Sequence, residues 1–206
     1  MRITVLDHPL ASHYLTRLRD RETEPAIFRL LAHKLTTLLA LEATVNLRVD
    51  FQPVETPMET AVGALINEAA VAVPILRAGL GMLEAFVELL PDVSVGYVGL
   101  ERDHETAVAS AYYSKLPPDL AGRPTFVLDP MLATGGSAAN AIDKLKDAGA
   151  DRITMVSIVA APEGVIFLNE RHPDVRIVTA ALDRQLNAIK YILPGLGDFG
   201  DRLYGT

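Results

Sequence analysis

Short, largely apolar runs alternate with helical stretches along this 206-residue chain, and that alternation limits the fold more than any other feature. The runs lie at 70–76, 93–100, 126–129, 153–160 and 175–180, and the stretches 79–90, 138–148 and 163–171 between them read as helices. Strands that are apolar on both sides need cover on both faces. Strands of this kind separated by helices imply an α/β fold, a central parallel sheet with helices on both faces. Upstream, residues 9–42 also read as helical, with Pro9 and Pro25 where a first helical turn tolerates proline. Ile27, Leu30, Leu31, Leu35, Leu38, Leu39 and Leu41 recur at helical spacing, and this apolar helix 27–41 also offers a surface for self-association. A polar connection over 44–56 and a second helix over 58–68 are expected before the first strand. No repeat, low-complexity tract or linker divides the chain, so residues 1–206 read as a single domain.

Half of the residues are hydrophobic and 22% are charged, which fits a globular chain and argues against disorder. The net charge of −7 argues against broad binding to nucleic acid or an anionic membrane. Any phosphate site must then be local, built from backbone N–H groups and a few arginines. The absence of cysteine excludes disulfides, thiolate metal sites and a cysteine nucleophile. The first residues show no signal-peptide core, and no apolar run approaches the roughly 20 residues of a membrane span. The expectation is a soluble, cytoplasmic protein.

Residues 124–137, Pro-Thr-Phe-Val-Leu-Asp-Pro-Met-Leu-Ala-Thr-Gly-Gly-Ser, carry the strongest chemical signal. An apolar strand ends at Asp129 and turns through Thr134, Gly135, Gly136 and Ser137 into a helix that starts near Ala138. Adjacent glycines let backbone approach a ligand and turn successive N–H groups into one concavity, and the helix adds its positive end. Such a loop suits a phosphate, with the acid before it suited to sugar hydroxyls or a metal. The alternative is an ordinary strand-to-helix turn capped by Ser137.

Two further loops point the same way. Arg77 ends the strand 70–76, and Gly79 and Gly81 open the next helix, a second anion cradle on a carboxyl edge of the sheet. Two such cradles suit a ligand with two separated phosphate groups. The tail 191–206, Tyr-Ile-Leu-Pro-Gly-Leu-Gly-Asp-Phe-Gly-Asp-Arg-Leu-Tyr-Gly-Thr, is more closely specified than a frayed terminus needs. Backbone groups at Ile192 and near Gly197 suit a flat polar ligand edge, and Tyr191 or Phe199 suits its face. Within it, 195–200 spells GxGxxG, but too little chain follows to form a dinucleotide-binding unit. Residues 101–123 break the strand–helix rhythm directly after a strand's carboxyl end and read as a flexible arm or extra hairpin over the site.

With these loops assembled, the chain resembles the uracil phosphoribosyltransferases of the type I phosphoribosyltransferase fold. The likeness rests on VPILRAGLGM (73–82), ERDHET with YYSKLP (101–117), VLDPMLATGGS (127–137) and YILPGLGDFGDRLYGT (191–206). It implies transfer of the 5-phosphoribosyl group from 5-phosphoribosyl diphosphate (PRPP) to uracil, giving UMP and diphosphate, with Mg²⁺ bound mainly alongside PRPP and no dedicated protein metal site. By position, PRPP falls to Arg77, Arg102, Asp129, Pro130, Met131, Leu132, Ala133, Thr134, Gly135, Gly136, Ser137 and Asp198. Uracil falls to Ile192, Gly197, Asp198 and Phe199, and Asp198 and Arg102 are the catalytic candidates. Pro130 stands where many phosphoribosyltransferases have a second acid, a feature of the uracil type that weakens any case for direct carboxylate–metal ligation. The resemblance also implies a homodimer or larger homo-oligomer. It leaves a GTP effector, found for some bacterial members, open. A purine-specific transferase and a nucleotide- or RNA-binding regulator of the same fold are the competing readings. The tail disfavours the first and the acidic charge the second. His104 lies in the arm and is given no role.

Overall fold

The computed structural model describes residues 2–102 and 109–206, with the side chains of 100–111 outside that description. In chain order the elements are β1 (Ile3–Val5), α1 (Pro9–Arg19), α2 (Pro25–Ala43), β2 (Val49–Glu55), β3 (Thr60–Ile66), β4 (Val71–Leu76) and α3 (Leu80–Leu89). Next come β5 (Ser94–Val95), β6 (Tyr97–Arg102), β7 (Ala109–Lys115), β8 (Pro124–Leu128), β9 (Met131–Leu132) and α4 (Gly136–Asp147). The chain then runs through β10 (Arg152–Ala160), α5 (Pro162–Arg171), β11 (Arg176–Leu182), β12 (Gln185–Leu186), β13 (Ile192–Leu193) and α6 (Phe199–Tyr204).

The main sheet runs β1-β11-β10-β8-β4-β6-β7, with β5 beside β4 and β9 beside β10. All its pairings among the described residues are parallel except β6 with β7. The extra hairpin expected after residue 100 is therefore this antiparallel edge, where Arg102 pairs with Ala109.

The doubly apolar strands sit between two cores. On one side Ala72, Phe126, Leu128, Val156 and Ile158 meet α1, α2, α3 and α6 through Leu15, Phe28, Leu35, Leu39, Phe86 and Phe199. On the other, Val71, Val73, Val127, Met155 and Ile177 meet α4 and α5 through Ile142, Leu145, Val165 and Leu168. Successive residues of a strand point to opposite faces, so neither face of these strands tolerates a polar stripe. Each fully buried Leu or Phe contributes about 1.5–3 kcal/mol relative to exposure. The stripe of α2 (Leu31, Leu35, Leu39) is taken up in this core, whereas Leu30 and Leu41 stay exposed.

Residues 58–68 depart from the helix expected there. They contribute β3, which pairs antiparallel with β2 in a continuous register from Val49↔Ile66 to Glu55↔Thr60. The turn is closed by Thr56, whose N–H and hydroxyl both donate to the Glu59 carbonyl, at 3.1 and 2.5 Å. Thr60, Val62 and Ile66 are β-branched and Gly63 disfavours a helix, so once β2 is available as a partner the extended form wins. Glu68 ties the hairpin's base to the sheet through Arg152 and the Arg48 N–H. That arginine, ahead of the opposing cost of burial, holds the Glu68 carboxyl below its ordinary range. The edge strand β1 is too short to register as a strand in the sequence. It is held by Leu6 N–H to the Thr179 carbonyl and Ile177 N–H to the Arg2 carbonyl, both 2.8 Å. Among the described residues no helix is long and apolar enough to cross a membrane.

Candidate active site

The phosphate-suited loop leaves the carboxyl end of β8. Asp129 begins it, half-buried, its N–H donating to the Val156 carbonyl at 3.2 Å and its Oδ1 accepting from the Met131 N–H at 3.3 Å. The Pro130 carbonyl accepts from Ile158 and Val159 N–H groups at 3.0 Å each. Met131 and Leu132 then form β9 against β10, so the first half of the loop is stitched to the sheet. The second half reaches Gly135, whose φ of +82° is open to glycine at little cost. Gly135, not Ser137, is the N-cap of α4. A glycine cap has no side chain to occupy the first-turn N–H groups, unlike Asp198 on α6, which accepts from the Asp201 N–H at 3.0 Å. The helix end is thus arranged to meet an anion from outside.

The loop rests on the start of α5. A Cβ at Gly164 would lie 2.4 Å from the Ala133 carbonyl oxygen and 2.8 Å from that of Leu132, and one at Gly135 would lie 2.8 Å from the Gly164 carbonyl oxygen. Two chain segments approach here closer than any side chain permits. The second cradle is packed as tightly. A Cβ at Gly79 would lie 2.3 Å from the Leu128 carbonyl oxygen, so glycine lets the turn after β4 lie against the end of β8. Ala78 consequently shares a wall with Asp129. Arg77 stands beside it, exposed, at the same carboxyl edge.

The tail is clamped from three directions. Arg19, from α1, donates to both carboxylate oxygens of Asp183, at 2.6 and 2.8 Å, and to the Gly195 carbonyl at 2.6 Å. The same carboxylate, only 7% exposed, accepts from the Gly195 N–H at 2.9 Å. Arg202 donates to the carbonyls of Leu18, Leu196 and Asp20 while lying over the Phe28 ring, and Arg29 donates to the Leu203 carbonyl at 2.8 Å. Phe199 packs edge-on against Phe28, with ring centroids 5.2 Å apart. Its ring is wholly buried, which fixes where the neighbouring Asp198 stands.

A cavity of about 340 Å³ opens between these parts. Asp129 to Gly135, Ser137 and Ala138 form one wall, with Ala78 beside them, and Ile189, Lys190, Tyr191, Asp198, Phe199 and Gly200 form the other. Gly136 opens α4 between the lining residues Gly135 and Ser137 without itself lining the cavity. Ile192, buried, and Gly197, at φ +82°, flank the second wall without lining it. The structure therefore brings together the PRPP candidates 129–137 with Asp198 and Phe199, whereas Arg77 is exposed next to the lining residue Ala78 and does not itself line the cavity. The backbone of Arg102 ends β6, but its side chain and all of His104 lie outside the described residues. Sequence reading missed Ile189 and Lys190, for which no motif speaks, and the supporting pair Arg19 and Asp183, which are 164 residues apart. It also missed Glu163, which accepts from the Leu186 N–H at 2.8 Å. That hydrogen bond is the main reason its carboxyl sits below the ordinary range.

The geometry joins a phosphate cradle to a loop suited to a flat polar ring. The uracil phosphoribosyltransferase family model matches residues 5–206. The chain belongs to the uracil phosphoribosyltransferase family. It is 50% identical over 209 residues to a uracil phosphoribosyltransferase of Streptomyces griseus, covering 100% of this chain and 99% of that one. To a uracil phosphoribosyltransferase of Nocardioides sp. it is 52% identical over 210 residues, covering 100% and 99%. Among solved structures, the AQ2163 protein of Aquifex aeolicus superposes with a TM-score of 0.93 at 37% identity, covering 99% of this chain and 98% of that one. The uracil phosphoribosyltransferases are pentosyl-transferring enzymes, and the mostly parallel sheet with its antiparallel edge is the scaffold on which this member carries the cavity.

Proposed function

We propose that this chain catalyses the transfer of the 5-phosphoribosyl group from PRPP to uracil, giving UMP and diphosphate, with residues 1–206 as one catalytic unit. The observation that carries the assignment is the single cavity shared by the phosphate-suited loop and the C-terminal tail. In this reading the N–H groups of residues 134–137 hold the 5′-phosphate, and Asp129 receives the ribose hydroxyls. Arg77 and Arg102 take the diphosphate, with the β6–β7 arm closing over it to keep water from the activated sugar. Uracil lies against the tail, its polar edge met by backbone groups at Ile192 and 197–199.

A ring nitrogen of uracil attacks the anomeric carbon from the face opposite the diphosphate. The carbon–oxygen bond to diphosphate breaks and its electron pair leaves with diphosphate, the nitrogen releases its proton to solvent, and the configuration inverts. Positive charge gathers on the sugar and negative charge on the leaving group, so catalysis is mainly positioning and electrostatics. Asp198, oriented by the α6 N-terminus it caps, faces the reacting centre and accepts the hydrogen bond of the uracil nitrogen.

The donors present fit a metal that arrives with the substrate. No group of three or more metal-ligating side chains gathers among the described residues, whereas Asp129 and Asp198 both line the cavity. Mg²⁺ commonly takes one or two carboxylates and fills its shell with phosphate oxygens and water. Carried mainly by the phosphate oxygens of PRPP, with these carboxylates nearby, it would supply neutralising charge to the diphosphate. The exposed hairpin supports self-association. Phe51 is 73% and Val62 76% exposed, with Leu65 and Ile66 also in solvent, and a homo-oligomer would bury apolar surface of this kind.

The test is to incubate the protein with PRPP, Mg²⁺ and each nucleobase in turn and measure diphosphate release. Release is expected with uracil. Release with a purine alone, or with no base, contradicts the assignment.

A further inference from the structure

Opposite the phosphate loop, the cavity wall is the tight turn 187–191 between β12 and β13. Asn187 organises it. Its Oδ1 accepts from the N–H groups of Ile189 and Tyr191 at 3.0 and 2.9 Å, its own N–H donates to the Tyr191 carbonyl at 2.8 Å, and its carbonyl accepts from the Lys190 N–H at 3.0 Å. The turn forces Lys190 to φ +68°, a region that costs a residue with a Cβ roughly 1–2 kcal/mol. Glycine would sit there without that cost. A lysine held in an unfavourable conformation on a cavity wall calls for a reason in function.

Charge supplies one. The ionisable side chains lining the cavity are Asp129, Asp198, Tyr191 and Lys190, so Lys190, itself exposed, is the only cation among the described lining residues. Its ammonium makes no ion pair among those residues. Its field reaches the start of α5, adding slightly to the two backbone hydrogen bonds that lower the Glu163 carboxyl. The cradle opposite offers N–H groups and a helix end, which are partial charges. A phosphomonoester brings close to two full negative charges, and full charge is matched by a cation.

We propose that Lys190 is the cationic partner of the 5′-phosphate, donating to it across the cavity from residues 134–137. The inference rests on the assignment of that loop to PRPP and UMP. It predicts a residue that binds substrate and product alike, because both carry the 5′-phosphate, and that leaves the diphosphate subsite untouched.

Three variants test it: Lys190→Gly, which removes the charge and relieves the backbone, Lys190→Gln and Lys190→Arg. Titration calorimetry with UMP, at low and high salt, and separately with diphosphate are the readouts, with a melting curve for each variant. Loss of a charge-assisted hydrogen bond predicts UMP binding weaker by about tenfold or more in Lys190→Gly and Lys190→Gln. Those two variants should also show a shallower salt dependence. Lys190→Arg should bind within about threefold of wild type, since it keeps the charge. Diphosphate binding should be unchanged throughout, and Lys190→Gly should melt no lower than wild type. UMP binding at wild-type strength in Lys190→Gly overturns the proposal, as does a loss confined to diphosphate. Failure of the wild-type protein itself to bind UMP overturns the functional assignment instead, so the two failures are distinct.

Discussion

At Gly164 the requirement for glycine is set by something distant in sequence, the Ala133 and Leu132 carbonyls of the phosphate loop. Gly164→Ala must push backbone against backbone, because neither neighbour is the far end of a flexible side chain. Overpacking of this kind costs about 1–3 kcal/mol, and here the displaced atoms belong to the cradle. We expect KM for PRPP to rise by roughly tenfold, in line with such a cost, while KM for uracil stays near wild type. Steady-state kinetics on both substrates checks this, and equal changes in the two constants would point to general loosening. Asp129, Gly135 and Asp198 were legible because the chemistry of each lies within its own few residues: an acid at a strand end, a glycine at a turn, an acid before a helix. Gly164 was not, because the need for glycine there comes from the Ala133 and Leu132 carbonyls packed against it, and Lys190 was not, because its place on the cavity wall comes from the β12–β13 turn.

Among the elements, the tail shows how a terminal segment acquires a fixed shape. Its turn at Gly195 is held at both backbone groups, the N–H by Asp183 and the carbonyl by Arg19. Asp183→Asn keeps an acceptor for the Gly195 N–H but removes the charge that pairs with Arg19. Hydrogen bonds to charged groups contribute about 1.5–3 kcal/mol. A loss near the lower end is expected in urea unfolding, since Arg19 keeps some contact with water. KM for uracil should rise with it and KM for PRPP should hold, because the tail and not the phosphate loop loses its anchor. Unaltered uracil kinetics would detach this clamp from the base site. The long apolar strands and α1 to α5 could be read from apolar period and the placing of proline and glycine, although the cap of α4 is Gly135 rather than Ser137. The hairpin β2–β3 could not, because a short stretch mixing Ala, Leu, Val and Ile fits either period until its pairing partner is known. A strand as short as β1 likewise has no pattern of its own.

For the whole molecule, the consequence of a parallel sheet is that every strand delivers its following loop to one edge. The turn after β4, the loop after β8 and, beyond β11, the β12–β13 turn with the start of α6 are far apart in the chain yet meet around one cavity, as open α/β sheets arrange their ligands. Sequence motifs supplied the loops, and the strand order supplied their meeting. The central claim is that the loop after β8 holds the phosphoribosyl half and the tail holds the base. It is tested most directly by a crystal structure of the protein soaked with UMP. In that crystal the 5′-phosphate is expected on the N–H groups of residues 134–137 beneath Lys190, and the uracil ring against Ile192 and residues 197–199. A phosphate bound elsewhere, or a uracil ring directed away from the tail, would contradict it.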